Sequence, residues 1–413
     1  MLISLIVGMV LLLTAYNFFR IVRDALHPAV VFPAVWGVTI TAIGLAEPFG
    51  YLQITPGTFL VFILGIFSFM VGALLGKKSP KYAGNMPTYN LDFKKIAWFC
   101  LALHAVMLPS SWVEINQITT GAEDIFASAY RLRAASVSGE EKVGALVGNY
   151  LTSGLFFVPV LLIGWLQKKV KLWMFVILTI PWVILNIFIG GRSGLITLIF
   201  SLIYVYMSMG RKISLQSIIA FGFSFIFVLI AGNLLVGKID ASIEDGVFAI
   251  ARQSLKGFFD YFLQGLILFS EYYQQPNKIS PTWDALVFPC QMLEKVSWCV
   301  PPSLHQGFMM FTNKGDYGNV YSIFFSIYPK YGWLGLFLIS GIYGFWAKFH
   351  HARRHRSIFN LLIGGFLFSA ILLSVFLDSF GTNIYFFVKI FLISSVASFA
   401  FRQSKNSSVN SGR

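Results

Sequence analysis

Hydrophobic residues in this chain come in long unbroken runs, not in the short amphipathic stripes of a soluble fold. A helix needs roughly 20 apolar residues to cross a bilayer. By that measure, spans are predicted near 1–19, 29–46, 57–76, 96–113, 144–167, 172–190, 193–209, 213–236, 331–348, 357–377 and 382–401. The stretch from Val247 to Ser270 differs, because it is amphipathic and carries Arg252, Lys256 and Asp260. Were it a crossing, every charged loop after it would change sides. It is therefore expected to lie along the interface or to re-enter. The fold class expected is an all-α polytopic membrane protein with about 11 transmembrane helices.

Charge then sorts the connections. Arg20 and Arg23 follow the first run, and Lys77, Lys78, Lys81, Lys94 and Lys95 separate the third from the fourth. Lys168, Lys169 and Lys171, then Arg211 and Lys212, then Lys348, Arg353, Arg354 and Arg356, then Arg402 and Lys405 occupy every second connection after that. Basic residues gather on the cytoplasmic side of membrane proteins. The expected orientation in a bacterial inner membrane has a periplasmic N-terminus and a cytoplasmic C-terminus. The outward connections are then 47–56, 114–143, 190–192, 237–330 and Asp378–Thr382. The first run lacks a basic leader and a small-residue cleavage site, so it reads as a span and not a signal peptide. The organisation expected is a membrane bundle over 1–236, a large periplasmic loop over 237–330, three more spans over 331–401 and a disordered cytoplasmic tail over 402–413.

Composition narrows the function classes. Of 413 residues, 57% are hydrophobic and only 12% charged, too few charges to cover a soluble protein of this size. The net charge of +14 is met by the alternating basic loops, so nucleic acid is not expected as a partner; membrane lipids are. Cys100 lies in a span, whereas Cys290 and Cys299 share the outer loop, where a disulfide can form. No Cys/His spacing suits a metal, and no P-loop, dinucleotide fingerprint or Asp-x-Asp cluster appears, so no cofactor is expected. The inward loops are too short to fold a nucleotide-binding domain. A donor already mounted on a membrane lipid fits.

The arginines that break the inside rule carry the candidate chemistry. Arg131 and Arg133 sit in the 114–143 connection, Arg192 in the turn Gly190-Gly-Arg-Ser-Gly194, and Arg252 with Lys256 on the amphipathic stretch, one turn apart. Guanidinium matches phosphate oxygens with a planar fork of donors and keeps its charge at any relevant pH. A diphosphate would draw several together. Ordinary loop capping or lipid headgroups would account for each of them singly. Acid and base candidates on the outer side are Asp260, Glu271, His305, Asp316, Tyr321 and Asp378. Asp260 can pair with Lys256 along a helix, and Asp378 can simply cap a helix end.

Four segments resemble the bacterial O-antigen and oligosaccharide repeat-unit polymerases of the Wzy type, and more distantly the O-antigen ligases. They are His27-Pro-Ala-Val-Val-Phe-Pro-Ala-Val-Trp36, the Gly-Arg turn at 190–194, Phe258-Phe-Asp-Tyr-Phe-Leu-Gln-Gly265, and Gly315-Asp-Tyr-Gly-Asn-Val-Tyr321 leading to Tyr331-Gly-Trp-Leu-Gly335. The ligase pattern places a histidine where Tyr321 stands here, which favours polymerase over ligase. The resemblance implies a GT-C-like, metal-independent glycosyltransferase whose donor and acceptor are undecaprenyl-diphosphate-linked oligosaccharides, with a chain-length regulator as a further partner that the family allows. Carried onto this chain, it implies catalytic roles for Arg192, Arg252, Tyr321 and Asp260, and substrate contacts for Arg131, Arg133, Lys256 and Asn319. A glycan ligase, a flippase or secondary transporter, and a scaffold subunit are the rival readings.

Overall fold

The computed structural model describes residues 1–75, 89, 91–124, 127–128, 130–132, 145–189, 192–212, 214, 216, 246–281, 284–294, 296–300 and 307–402. The protein is mostly helical. Its main helices are α1 (Leu2–Val22), α2 (Pro28–Ala46), α3 (Pro56–Leu74), α4 (Phe93–Thr119), α5 (Ala145–Leu166), α6 (Leu172–Phe188), α7 (Arg192–Ser208), α8 (Gly246–Gln274), α9 (Val287–Glu294), α10 (Tyr328–Arg353), α11 (Ile358–Leu373) and α12 (Ile384–Ala400). Among the described residues, α1, α2, α3, α4 and α5 are long and apolar enough to cross a membrane. Shorter apolar helices lie at Leu172–Phe188, Ser193–Ser208, Ile358–Leu373 and Phe386–Ala397. The run at 213–236 and the tail after Arg402 lie outside the description. The amphipathic stretch is one helix, α8, as expected. The chain is a membrane protein.

Two compact units are present, and they cut across the order of segments along the sequence. The first joins Met1–Lys81, Leu255–Arg353 and Ile363–Phe387. Most of the large loop thus packs with the N-terminal helices in one body. The second joins Tyr82–Ser254, Arg354–Leu362 and Val388–Arg413.

In the first unit, small residues let helix backbones touch, which is how helices associate where apolar burial gives no advantage over lipid. A Cβ at Gly8 would collide with Thr41, so α1 and α2 lie close and antiparallel, with Gly44 against Ser4 and Leu5. A Cβ at Gly72 would collide with the Gly341 carbonyl, and one at Gly344 with the Phe69 carbonyl. Ser68 Oγ donates to the Phe337 carbonyl of the same pair. Helices α3 and α10 therefore run parallel, with their N-terminal ends side by side. Gly332, at φ 59°, breaks α10 near its start.

Two non-helical segments reach deep into this unit. A Cβ at Gly65, midway along α3, would collide with the Phe324 ring, and Phe324 also stacks within 4.6 Å of Trp36. Phe380 approaches Phe69 of α3 at 6.1 Å and stacks on Tyr343 at 4.7 Å. Irregular backbone is tolerated at such depth only when its polar groups are paired inside the protein. Here they pair with one another and with α8: Ile323 N donates to Ser374 O at 2.8 Å, and Ser322 N to Gly265 O of α8 at 3.1 Å.

The second unit is pinned by His104 of α4. Its Nε2 faces the Leu178 carbonyl at 2.9 Å, so that nitrogen carries the proton and Nδ1 accepts from Tyr150 Oη at 2.7 Å. Trp182 Nε1 donates to Tyr150 O at 3.0 Å and fills the notch at Gly154. One imidazole thus joins α4, α5 and α6.

The close α3–α10 approach makes a paired prediction. Gly344→Ala places a methyl group against backbone and should cost about 1–3 kcal/mol of stability. A Cβ at Gly341 meets nothing nearer than Ser68 Oγ at 3.4 Å, so Gly341→Ala should stay within about 0.5 kcal/mol of wild type. Thermal unfolding of the two purified variants in one detergent compares them, and equal losses would refute the packing.

Candidate functional site

Polar groups in the first unit sort to its two ends. At one end, Asp24 Oδ2 meets His351 Nε2 at 3.0 Å, and Lys348 Nζ meets His27 Nε2 at 2.9 Å. His27 Nδ1 accepts from Ala29 N at 3.2 Å as it caps α2. Arg20, Arg23 and Arg353 belong to the same end of α1 and α10. The opposite end holds the carboxylates of Glu47, Asp260, Asp284 and Asp316, with Tyr51 and, paired to those carboxylates, the cations Lys256, Lys330 and the Met1 amino group.

The candidate site lies at that second end. Strands β1 (Met309–Met310) and β2 (Tyr317–Gly318) form a hairpin, and Thr312 bridges to Tyr51 in the connection after α2. Asn313 N donates to Gly50 O at 2.8 Å and Leu52 N to Phe311 O at 3.1 Å, so the hairpin is stitched to residues 50–52. Gly318 packs directly against the Gln264 side chain of α8. This junction brings chemistry together from three distant parts of the chain. Tyr51 Oη donates to Asp260 Oδ1 at 2.5 Å. Lys256 Nζ stands 3.8 Å from Asp260 Oδ2 and 3.9 Å from Asp316 Oδ2. Asp316 Oδ2 also accepts from Thr312 Oγ1 at 2.9 Å. Burial and the adjoining Asp260 carboxylate both raise the Tyr51 pKa, so its hydroxyl keeps its proton at neutral pH and acts as a donor.

This arrangement can bind a polyhydroxyl surface, with carboxylates accepting hydroxyl protons and one ammonium held between them. Lys256 has its charge met by two aspartates. Asp260 has the helix partner foreseen from its spacing, together with Tyr51, which no sequence signal indicated. Tyr51 lies 209 residues before Asp260, and the hairpin contact helps bring the two together.

The other sequence candidates fall as follows. Tyr321 is fully buried, donates to Gly307 O at 2.9 Å and stacks on Phe325 at 4.1 Å, so it holds the loop together. Asn319 is half-buried just after β2. Arg131 donates to the carbonyls of Thr120 and Gly121 at 2.5 and 3.0 Å, closing the end of α4. Arg252 is exposed on α8. Arg192 begins α7, with its side chain outside the description, as are Arg133 and His305. Among the described residues no group of His, Cys, Asp and Glu could hold a metal ion.

Asp378 does more than cap a helix end. Its Oδ1 accepts from Phe380 N and Gly381 N, both at 2.9 Å, as a turn cap would. It is also wholly buried, and Oδ2 accepts from Ser326 Oγ at 2.7 Å and Tyr343 Oη at 3.2 Å. No family model, curated protein or solved structure matches the chain.

At the head of α10, Asp284 Oδ1 accepts from Tyr331 Oη at 2.5 Å and Leu286 N at 2.8 Å, while Oδ2 meets Lys330 Nζ at 3.0 Å. Burial alone would raise its pKa, but these partners outweigh burial and hold it below the ordinary 3.8. A depressed folded-state pKa stabilises the fold above the unfolded value and loses that effect as pH falls through the folded one. The stability gap between wild type and Asp284→Asn should therefore be full at pH 6–7 and shrink once pH drops below about 4. A gap that ignores pH in urea titrations would remove the carboxylate from this role.

Proposed function

We propose that this protein polymerises oligosaccharide repeat units carried on undecaprenyl diphosphate, working at the periplasmic face of a bacterial inner membrane that it crosses about eleven times. The observation that carries the reading is the carboxylate cluster of Asp260 and Asp316 around Lys256 and Tyr51, at the carboxylate-rich end of the first unit. The acceptor sugar hydroxyl binds there and gives its proton to Asp260 or Asp316 as its oxygen attacks the anomeric carbon of the donor. The bond from that carbon to the diphosphate breaks, and the electron pair leaves on the diphosphate oxygen. That charge needs cations. Arg192, Arg252 and Arg133 are the candidates, on sequence grounds. Arg131 is less suited, since its guanidinium already serves two carbonyls. Tyr321 acts by holding the loop that carries Asp316.

The Cys290–Cys299 disulfide supports the outward orientation of this end, because such bonds persist in oxidising compartments. So does the separation of Arg20, Arg23, Lys348 and Arg353 to the opposite end.

A second reading, a lipid-linked glycan flippase or transporter, is favoured by Asp378. A buried carboxylate between two interrupted helices is how transporters build substrate sites. A glycan ligase shares the membrane chemistry of the first reading.

A polymerase-null strain distinguishes them. Wild type should restore a ladder of long glycans. Asp260→Asn and Arg192→Ala, expressed at wild-type level, should leave single repeats on the final acceptor, with chain extension down about 100-fold or more. A flippase defect would leave no lipid-linked repeat outside. Full ladders from both variants would dismiss the polymerase assignment.

A further inference from the structure

A short disulfide-closed segment takes no part in the Tyr51–Asp260–Asp316 cluster. Helix α9 is eight residues long and ends in a tight turn, where Val296 N and Trp298 N both donate to Leu293 O and Ser297 adopts φ 59°. Cys290 and Cys299 close this turn back onto the helix, with Cα atoms 5.3 Å apart. The bridge holds a shape that burial does not. Leu293, Val296, Trp298 and Val300 all point outward, with Trp298 80% and Val300 91% exposed. Exposing a tryptophan and three aliphatic side chains to water is unfavourable.

Where the segment is tethered says what covers it. Its leading residue, Asp284, is fixed to Lys330 and Tyr331 at the head of α10. Immediately beyond them α10 exposes Trp333, Leu334 and Leu338. Lysine and tyrosine followed at once by outward apolar side chains mark the boundary between headgroups and acyl chains. The α9 tip is carried by the segment that this anchor holds. A glycan would call for polar edges beside the ring, and the tip offers aliphatic ones.

We infer that the tip formed by Leu293, Val296, Trp298 and Val300 is an interfacial anchor that inserts into the lipid leaflet at this end of the protein, with the disulfide keeping it rigid enough to do so. Its role is independent of glycosyl transfer. It fixes the large loop against the bilayer surface, at the level where a lipid-linked substrate presents its headgroup.

Photo-crosslinking of the full chain in phospholipid nanodiscs tests this. With p-benzoylphenylalanine in place of Trp298, illumination should yield adducts of phospholipid mass, at least fivefold more than the same probe at Asn313 on the exposed hairpin turn. The same probe in a Cys290→Ser/Cys299→Ser background should lose most of that excess. Adducts of protein mass, or a yield no higher than at Asn313, would overturn the proposal. Undiminished lipid adducts without the disulfide would overturn the bracing role.

Discussion

Unpaired backbone cannot persist inside a bilayer, and the first unit is organised around meeting that constraint at two places where its helices stop. Residues 321–327 and 374–381 each leave helical geometry at the depth of the middle of α3. Each N–H or C=O left without a partner there would cost several kcal/mol. The chain avoids this by pairing one break with the other. Ser374 sits at the junction: its carbonyl accepts from Ile323 N, and its hydroxyl accepts from Trp36 Nε1 at 2.9 Å. Asp378 completes the arrangement by taking two backbone N–H groups from its own turn and two hydroxyls from its neighbours. Three parts of the chain, around Trp36, Ile323 and Ser374, hold one another's polar groups.

That solution decides what the carboxylate-rich end of the unit can look like. Because 321–327 is drawn down into the helices, the hairpin before it is held against residues 50–52 and α8. Tyr51, Asp260 and Asp316 meet as a result. The cluster has more carboxylate than cation, so it suits hydroxyl groups and repels phosphate. If the protein transfers sugars from a lipid diphosphate, the acidic cluster serves the acceptor, and the charge of the leaving group has to be met by other residues. Arginine is the chemically suited residue, and the chain's outer-side arginines were noted for that reason.

Helix positions were legible because apolar runs of membrane length leave little ambiguity: α2, α5 and α7 start or stop within a few residues of the runs that announce them. The amphipathic helix was legible from Arg252, Lys256 and Asp260 alone. The breaks were not. Ser322-Ile-Phe-Phe-Ser-Ile327 reads as ordinary apolar sequence approaching a span, and Leu377-Asp-Ser-Phe-Gly as a surface turn. Nothing in their spacing indicates that Ser374 and Trp36 await them. Asp378 reads as a residue of a connection, yet it is wholly buried. At the candidate site, Asp260 and Asp316 were visible as outward carboxylates, and Lys256 as the helix partner of one. Tyr51 was invisible, because its role comes from a strand-like contact with Thr312 that hydropathy does not encode. Arg131 has a local use that its residue type does not reveal: its guanidinium is occupied with the end of its own preceding helix.

The orientation we propose rests on features at opposite ends that have no common cause. The basic end follows the charge preference of membrane insertion, which acts while the chain is being placed in the bilayer. The Cys290–Cys299 bridge belongs to redox chemistry, which acts after the loop has reached its compartment. Either alone is open to another explanation: a basic end can bind a partner, and two cysteines nine positions apart can meet by chance of folding. Together they constrain more. The α3–α10 packing makes the two ends opposite, since both helices begin at the carboxylate-rich end and finish at the basic one. A chain inserted the other way would carry Arg20, Arg23, Lys348 and Arg353 across the membrane and leave its disulfide in a reducing cytoplasm. Both penalties would have to be met at once, and the same helix pair that fixes the fold prevents relieving one without incurring the other.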